Sequence, residues 1–93
     1  MRIRWTPAAA ENLESIYIYL CEHYPSFAVS TVRVLYESAR ALRAFPERGR
    51  LGEIDGTREF VLPRLPYIIV YRINEQTIEV LHIYHGAQDR LSQ

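Results

Sequence analysis

The spacing of apolar and polar residues changes period twice along the chain, from two to about 3.6 and back to two. Arg2-Ile3-Arg4-Trp5 alternates, as a half-buried strand does. Thr6-Pro7 then opens a helix, with threonine as N-cap and proline at the first helical position. Leu13, Ile16, Tyr17, Leu20, Cys21 and Tyr24 follow at alternating steps of three and one, which is one face of an α-helix. Pro25 and Ser26 end it. From about Phe27 to Phe45, Ala28, Val32, Leu35, Ala39 and Leu42 recur at steps of four and three, and Pro46 stops this second helix. A link of a few residues makes the pair an antiparallel helical hairpin. Tyr17, Tyr24 and Tyr36 fall on its core stripes.

Glu47 to Gly56 is the longest polar loop, punctuated by Gly49, Gly52 and Gly56. Beyond it, Arg58 to Leu62 reads as a strand and Pro63 to Pro66 as a break. Tyr67-Ile68-Ile69-Val70-Tyr71-Arg72-Ile73 is β-branched and apolar enough for a central strand covered on both faces. Asn74-Glu75-Gln76 turns the chain into a last strand, Thr77 to Tyr84, and a polar tail runs from Ala87 to Gln93. The predicted fold is α+β, in the order β-α-α-β-β-β. The helical hairpin packs on one face of a small antiparallel sheet, and the place of the first strand in that sheet stays open.

Composition narrows the class. The 93 residues are 48% hydrophobic and 24% charged, which suits one globular domain over residues 1–93. No apolar run approaches the roughly 20 residues of a membrane helix. The segment Met1 to Trp5 lacks the apolar core of a signal peptide, so the cytoplasm is the expected address and no membrane is involved. The single cysteine, Cys21, makes neither an internal disulfide nor a multi-thiolate zinc site. Eleven basic residues balance eleven acidic ones, all the basic ones are arginine, and broad electrostatic capture of nucleic acid is disfavoured.

Several segments, in order, are similar to the RelE/ParE toxins of bacterial type II toxin–antitoxin systems. They are Trp5-Thr6-Pro7-Ala8-Ala9-Ala10-Glu11-Asn12-Leu13, the Tyr24-Pro25-Ser26-Phe27-Ala28 link and Phe45-Pro46-Glu47-Arg48-Gly49-Arg50. Gly56-Thr57-Arg58-Glu59 with Leu65 to Ile73, and Ile78 to Arg90, complete the resemblance, which spans almost the whole chain. Gln88 departs from it, since that position is often basic in the family. The resemblance implies a toxin neutralised by a cognate antitoxin whose extended or helical tail lies across it. It also implies promoter DNA as a partner only through the antitoxin. RelE-like members cut messenger RNA on the ribosome, whereas ParE-like members inhibit DNA gyrase on a similar fold.

A ribonuclease of this kind needs a base, an acid and cationic donors around one phosphate. Arg58 and His85 are the candidate catalytic residues, with Arg64, Arg72 and Tyr84 as candidate substrate contacts and Glu53 as a further residue that could supply one of these roles. Each has a structural alternative. Arg58 ties the loop acids Glu53 and Asp55 to the sheet, His85 caps backbone groups at a strand end, and Arg72 pairs with Glu79 or Glu59 across strands. Tyr84 and His85, as strand neighbours, point to opposite faces. His82 is expected to be partly buried on one face with Tyr84, Val80 and Ile78. His23 complements the dipole at the end of the first helix. No metal spacing links the histidines, and neither metal nor cofactor is expected.

Charge favours the ParE-like branch. A neutral chain without lysine suits a protein target, gyrase, better than the phosphates of a ribosome and its messenger RNA. The hairpin and the polar tail are the expected contact surfaces. The alternatives are a RelE-like messenger RNase using Arg58 and His85, and a degenerate member that binds antitoxin without toxicity. So small a two-layer domain is also expected to leave hydrophobic surface exposed for its partner.

Overall fold

The computed structural model describes residues 1–87. The elements are β1 (Arg2–Trp5), α1 (Pro7–His23), α2 (Pro25–Ala41), β2 (Arg50–Leu51), β3 (Arg58–Val61), β4 (Tyr67–Asn74) and β5 (Thr77–His85). The sheet order is β1-β5-β4-β3-β2. Strands β3, β4 and β5 form the expected antiparallel meander. The first strand lies parallel to β5, with Arg2 opposite Thr77 and Trp5 opposite Val80, so the sheet is mixed rather than wholly antiparallel. The expected polar loop also contributes a short strand, β2, which pairs with β3. Among the described residues, no helix is long and apolar enough to cross a membrane.

The start of α1 is as the sequence predicts, whereas α2 begins at Pro25 and ends at Ala41, earlier at both ends than the expected Phe27 to Phe45. Thr6 caps α1, its hydroxyl oxygen accepting the Ala9 N–H at 3.2 Å, and Pro7 takes the first helical position. A single residue, Tyr24, joins the helices. Its N–H closes α1 on the Leu20 carbonyl at 2.7 Å, and its carbonyl accepts the Phe27 N–H at 2.9 Å. The hairpin covers one face of the sheet. Ala9, Leu35, Ala39 and Leu42 pack there against Phe60, Leu62, Ile69, Tyr71, Ile78, Val80 and Ile83.

Three tyrosines depart from expectation. Tyr17, Tyr24 and Tyr36 are 41%, 55% and 46% exposed rather than core. The two-layer fold covers only the middle of each apolar stripe, through Ala9, Leu13, Ile16 and Leu20 on α1 and Ala28, Thr31, Leu35 and Ala39 on α2. Residues at the stripe margins have no third layer to meet. The aromatic surplus therefore lies on the flanks of the hairpin, where Tyr36 stacks on Trp5 at 5.9 Å.

A β-bulge decides the second half of β5. Val70 pairs with His82 and Tyr71 with Val80, which leaves Leu81 unpaired in the β4 ladder. The extra residue reverses the alternation. Ile78 and Val80 face the helices before it, and Ile83 faces them after it. His82 and Tyr84 are thereby turned to the outer face, their rings stacked at 5.7 Å. The expectation that His82 is partly buried beside Val80 and Ile78 is corrected: it is exposed and lies on the opposite face. Beyond Trp5, α1 takes over the β5 edge. Thr6 Oγ1 donates to Val80 O at 2.8 Å, and Asn12 Oδ1 accepts the Ile83 N–H at 3.0 Å.

Candidate functional site

The outer face of the sheet carries charge at positions its geometry buries. Glu59 and Glu79, on β3 and β5, are only 7% and 6% exposed. A buried carboxylate needs cationic partners. Glu79 has two: Arg4 Nε donates to its Oε2 at 3.1 Å, and Arg72 Nε donates to its Oε1. Arg4 and Arg72 stand opposite Glu79 in the two flanking ladders, so strand register builds this triad. Arg50 holds Glu59 in the same way, at 3.0 and 3.3 Å. The expected Arg72 partner is thus Glu79, while Glu59 belongs to Arg50.

The two guanidinium groups hold the Glu79 carboxyl down at a pKa of about 2, from an ordinary value of 4.5. A depressed folded-state pKa contributes stability that is complete above the unfolded value and is lost as pH falls through the folded one. The melting temperature should therefore fall as pH drops from about 5 to 2. In Glu79→Gln that dependence should flatten, with lower stability at neutral pH, as differential scanning calorimetry across the window would show.

The sequence-predicted residues do not gather in one place. Tyr84 and Arg72 share the outer face with Glu53, His82 and Glu59, around a cleft of about 710 Å³. Arg58 stands between the cleft-lining Thr57 and Glu59 but on the other face of β3, opposite Tyr71, and its Nη1 donates to Gly49 O at 2.8 Å and Glu47 O at 3.3 Å. It therefore ties backbone carbonyls of the loop, not Glu53 and Asp55. His85 ends β5 on the helix side, its Nδ1 accepting the Ala87 N–H at 3.1 Å and its ring edge-on to Tyr67 at 5.5 Å. This is the backbone-capping role. Arg64 is exposed in the β3–β4 loop. Tyr84 and His85 do face opposite sides, lining different clefts. The register sets the Arg58 and His85 Cα atoms about 16 Å apart, two strands across and four residues along. The Arg58 guanidinium is engaged at the Glu47–Gly49 loop and the His85 ring beside Tyr67. Among the described residues, no three of His, Cys, Asp and Glu gather to hold a metal ion.

A second, apolar cleft of about 510 Å³ opens between the hairpin and the β3–β4 loop. Tyr19, Leu20, Tyr24 and Phe27 form its helical wall, with Leu65 and Tyr67 opposite and His85 at its lip. Burial pushes the Tyr67 phenol above its ordinary value near 10. Phe27 is 62% exposed and Tyr24 55%, far more than isolated core residues would be. The sequence hides this cleft because its residues come from four segments. The one available signal is a surplus of aromatic residues at the margins of both helical stripes. The polar tail expected as a contact surface lies, from residue 88 onward, outside the described residues.

Comparisons with known proteins point one way. The family model described as the ParE toxin of the type II toxin–antitoxin system parDE matches residues 3–90. The Y4kP protein of Sinorhizobium fredii (strain NBRC 101917 / NGR234), provisionally named a toxin, is 40% identical over 87 residues, covering 94% of this chain and 90% of that protein. Toxin RelE2 of Caulobacter vibrioides is 30% identical over 87 residues, covering 94% and 97%. A solved chain of the chromosomal ParDE TA system from P. aeruginosa superposes with a TM-score of 0.83 at 30% identity, covering 91% of this chain and 95% of that one.

Proposed function

The chain belongs to the ParE toxin family of type II toxin–antitoxin systems, and on that premise we propose that it arrests growth by binding DNA gyrase in the cytoplasm and is neutralised by a cognate antitoxin. The observation that carries the target assignment is the state of the cations. On the outer face, Arg4 and Arg72 are committed to Glu79 and Arg50 to Glu59, while Arg58 is committed to backbone carbonyls. A nuclease needs cations free to meet a phosphate that gains charge in the transition state. It also needs an acid and a base within hydrogen-bond reach of one phosphodiester, whereas the His85 Nδ1 accepts the Ala87 N–H and its ring packs on Tyr67. A protein target makes neither demand.

Antitoxin binding is supported by the apolar cleft beside the hairpin, whose exposed Tyr24 and Phe27 need cover. Promoter DNA is then reached only through the antitoxin.

The test induces the chain without antitoxin, maps RNA 5′ ends within minutes, and assays gyrase supercoiling with the purified protein. Intact messages and inhibited supercoiling are expected, and His85→Ala should keep its toxicity. Arg58→Ala should lower stability by about 1–2 kcal/mol through two lost backbone contacts and keep toxicity at permissive temperature. New RNA ends clustered inside translated codons, abolished in both variants, would establish the messenger RNase instead. No arrest with protein present would establish the degenerate member.

A further inference from the structure

The two helices share a flank that the apolar cleft does not use. A groove of about 370 Å³ runs between them there, with Trp5 at one end. Leu13, Glu14 and Tyr17 line it from α1, and Val32 and Tyr36 from α2. Helical period extends the stripe, since Cys21 lies four residues beyond Tyr17, and Val29 and Arg33 precede Tyr36 by seven and three. Tyr17, Cys21, Val29 and Tyr36 are all exposed. So continuous an apolar strip on so small a chain marks a surface that meets another protein.

Charge identifies the partner. α1 carries Glu11, Glu14 and Glu22 and no arginine, whereas α2 carries Arg33, Arg40 and Glu37. Arg40 and Glu37 pair with each other at 3.7 Å. Glu14 and Arg33 have no ion pair among the described residues. Counted from Tyr24, Glu14 is ten residues back and Arg33 nine on, so they stand at nearly one height on antiparallel helices. One surface thus offers an acid on one helix and a base at matching height on the other, which makes it self-complementary under a two-fold axis. An axis parallel to the helices keeps the height and lays α1 against the partner's α2. It sets Glu14 beside the partner's Arg33, and the same contact recurs across the axis. An axis perpendicular to the helices lays α1 on α1 and α2 on α2, with like charges opposed.

We infer that this flank is the interface of a symmetric homodimer, in which α1 of each copy packs on α2 of the other, Glu14 pairs with the partner's Arg33, and Tyr17 and Tyr36 supply the apolar contact. Two 17-residue helices, each about 25 Å long, present a face at the small end of specific interfaces, so association should depend on concentration. Tyr19, Leu20, Tyr24 and Phe27, the helical wall of the apolar cleft, do not line this groove, so dimer and antitoxin would use different surfaces.

The test is sedimentation equilibrium of the purified full chain over a range of concentrations, with emission of its one tryptophan, Trp5, as a second readout. The mass should rise from one chain toward two, and the emission should shift to the blue as Trp5 loses water. Glu14→Arg and Arg33→Glu each set like charges together twice. Either should weaken dimerisation about tenfold or more with unchanged melting of the free chain, since both residues are exposed. Mixing the two variants, or combining both changes in one chain, puts opposite charges at both contacts and should restore the dimer. A monomer at every concentration would overturn the homodimer. So would a dimer that the single changes leave intact, or one that neither the mixture nor the combined variant recovers. A monomeric chain whose single variants lose affinity for antitoxin would assign the flank to the antitoxin instead. None of these readouts depends on toxicity, so the dimer can fail while the gyrase assignment stands, and the reverse.

Discussion

Tyr71→Ala should destabilise the domain by about 3–5 kcal/mol, the usual cost of deleting a large buried aromatic side chain. Tyr71 is wholly buried in β4, and its ring packs in the core between helices and sheet. Its hydroxyl also organises the chain after α2, donating to Pro46 O at 2.7 Å and accepting the Gly49 N–H at 2.9 Å. Burial pushes this phenol above its ordinary value, a shift partly offset by the Gly49 amide and the nearby Arg58, so it stays a neutral donor at physiological pH. Tyr71→Phe separates the two contributions. It keeps the ring and leaves the Gly49 N–H and Pro46 O without this partner, for about 1–3 kcal/mol. Against the roughly 5–15 kcal/mol of a small domain, the alanine variant should melt well below the wild type. Gly49→Ala should also destabilise, since a Cβ there would stand 2.8 Å from the Tyr71 ring and 3.0 Å from Glu59 O. Urea unfolding of the three variants checks the ranking, and a phenylalanine variant as stable as wild type would remove the hydroxyl from the account.

The second large effect concerns neutralisation. Phe27→Glu and Tyr24→Glu should each weaken antitoxin binding by about 100-fold or more, because a buried interface charge without a partner costs several kcal/mol. Both residues stand more than half exposed at the mouth of the apolar cleft, so either change should leave the melting temperature of the free chain nearly unmoved. Cells producing the variant beside wild-type antitoxin should stop growing where wild-type toxin is tolerated. Calorimetric titration of the purified pair measures the same effect directly. Unchanged affinity in both variants would move the antitoxin contact off the hairpin.

Local chemistry was written where the determining residues are neighbours in the chain. Thr6-Pro7 starts α1 because cap and first-turn preferences involve adjacent residues, and Tyr24-Pro25 turns the hairpin for the same reason. The stripe of Ala28, Leu35, Ala39 and Leu42 is buried because helical period alone brings those positions to one side. The β3–β4–β5 meander follows from short turns between apolar runs. The role of His85 as a backbone cap and the pairing of Arg72 with Glu79 were also within reach, since both depend on strand ends and cross-strand neighbours.

The bulge was less legible, although its trace is in the sequence. Ile78 and Val80 keep one phase, and Ile83 falls an odd number of residues later, so a strict alternation cannot bury all three. Reading the strand as regular put His82 on the wrong face. The family's order of segments and motifs, the helical hairpin and the meander were determined by sequence, because each depends on residues a few positions apart. Only tertiary structure decided that β1 lies parallel to β5, that Arg4 and Arg72 converge on one buried Glu79, and that Arg58 and His85 stand apart. Those outcomes depend on which strands meet and in what register, a choice made by the packing of the whole hairpin against the whole sheet rather than by any local segment.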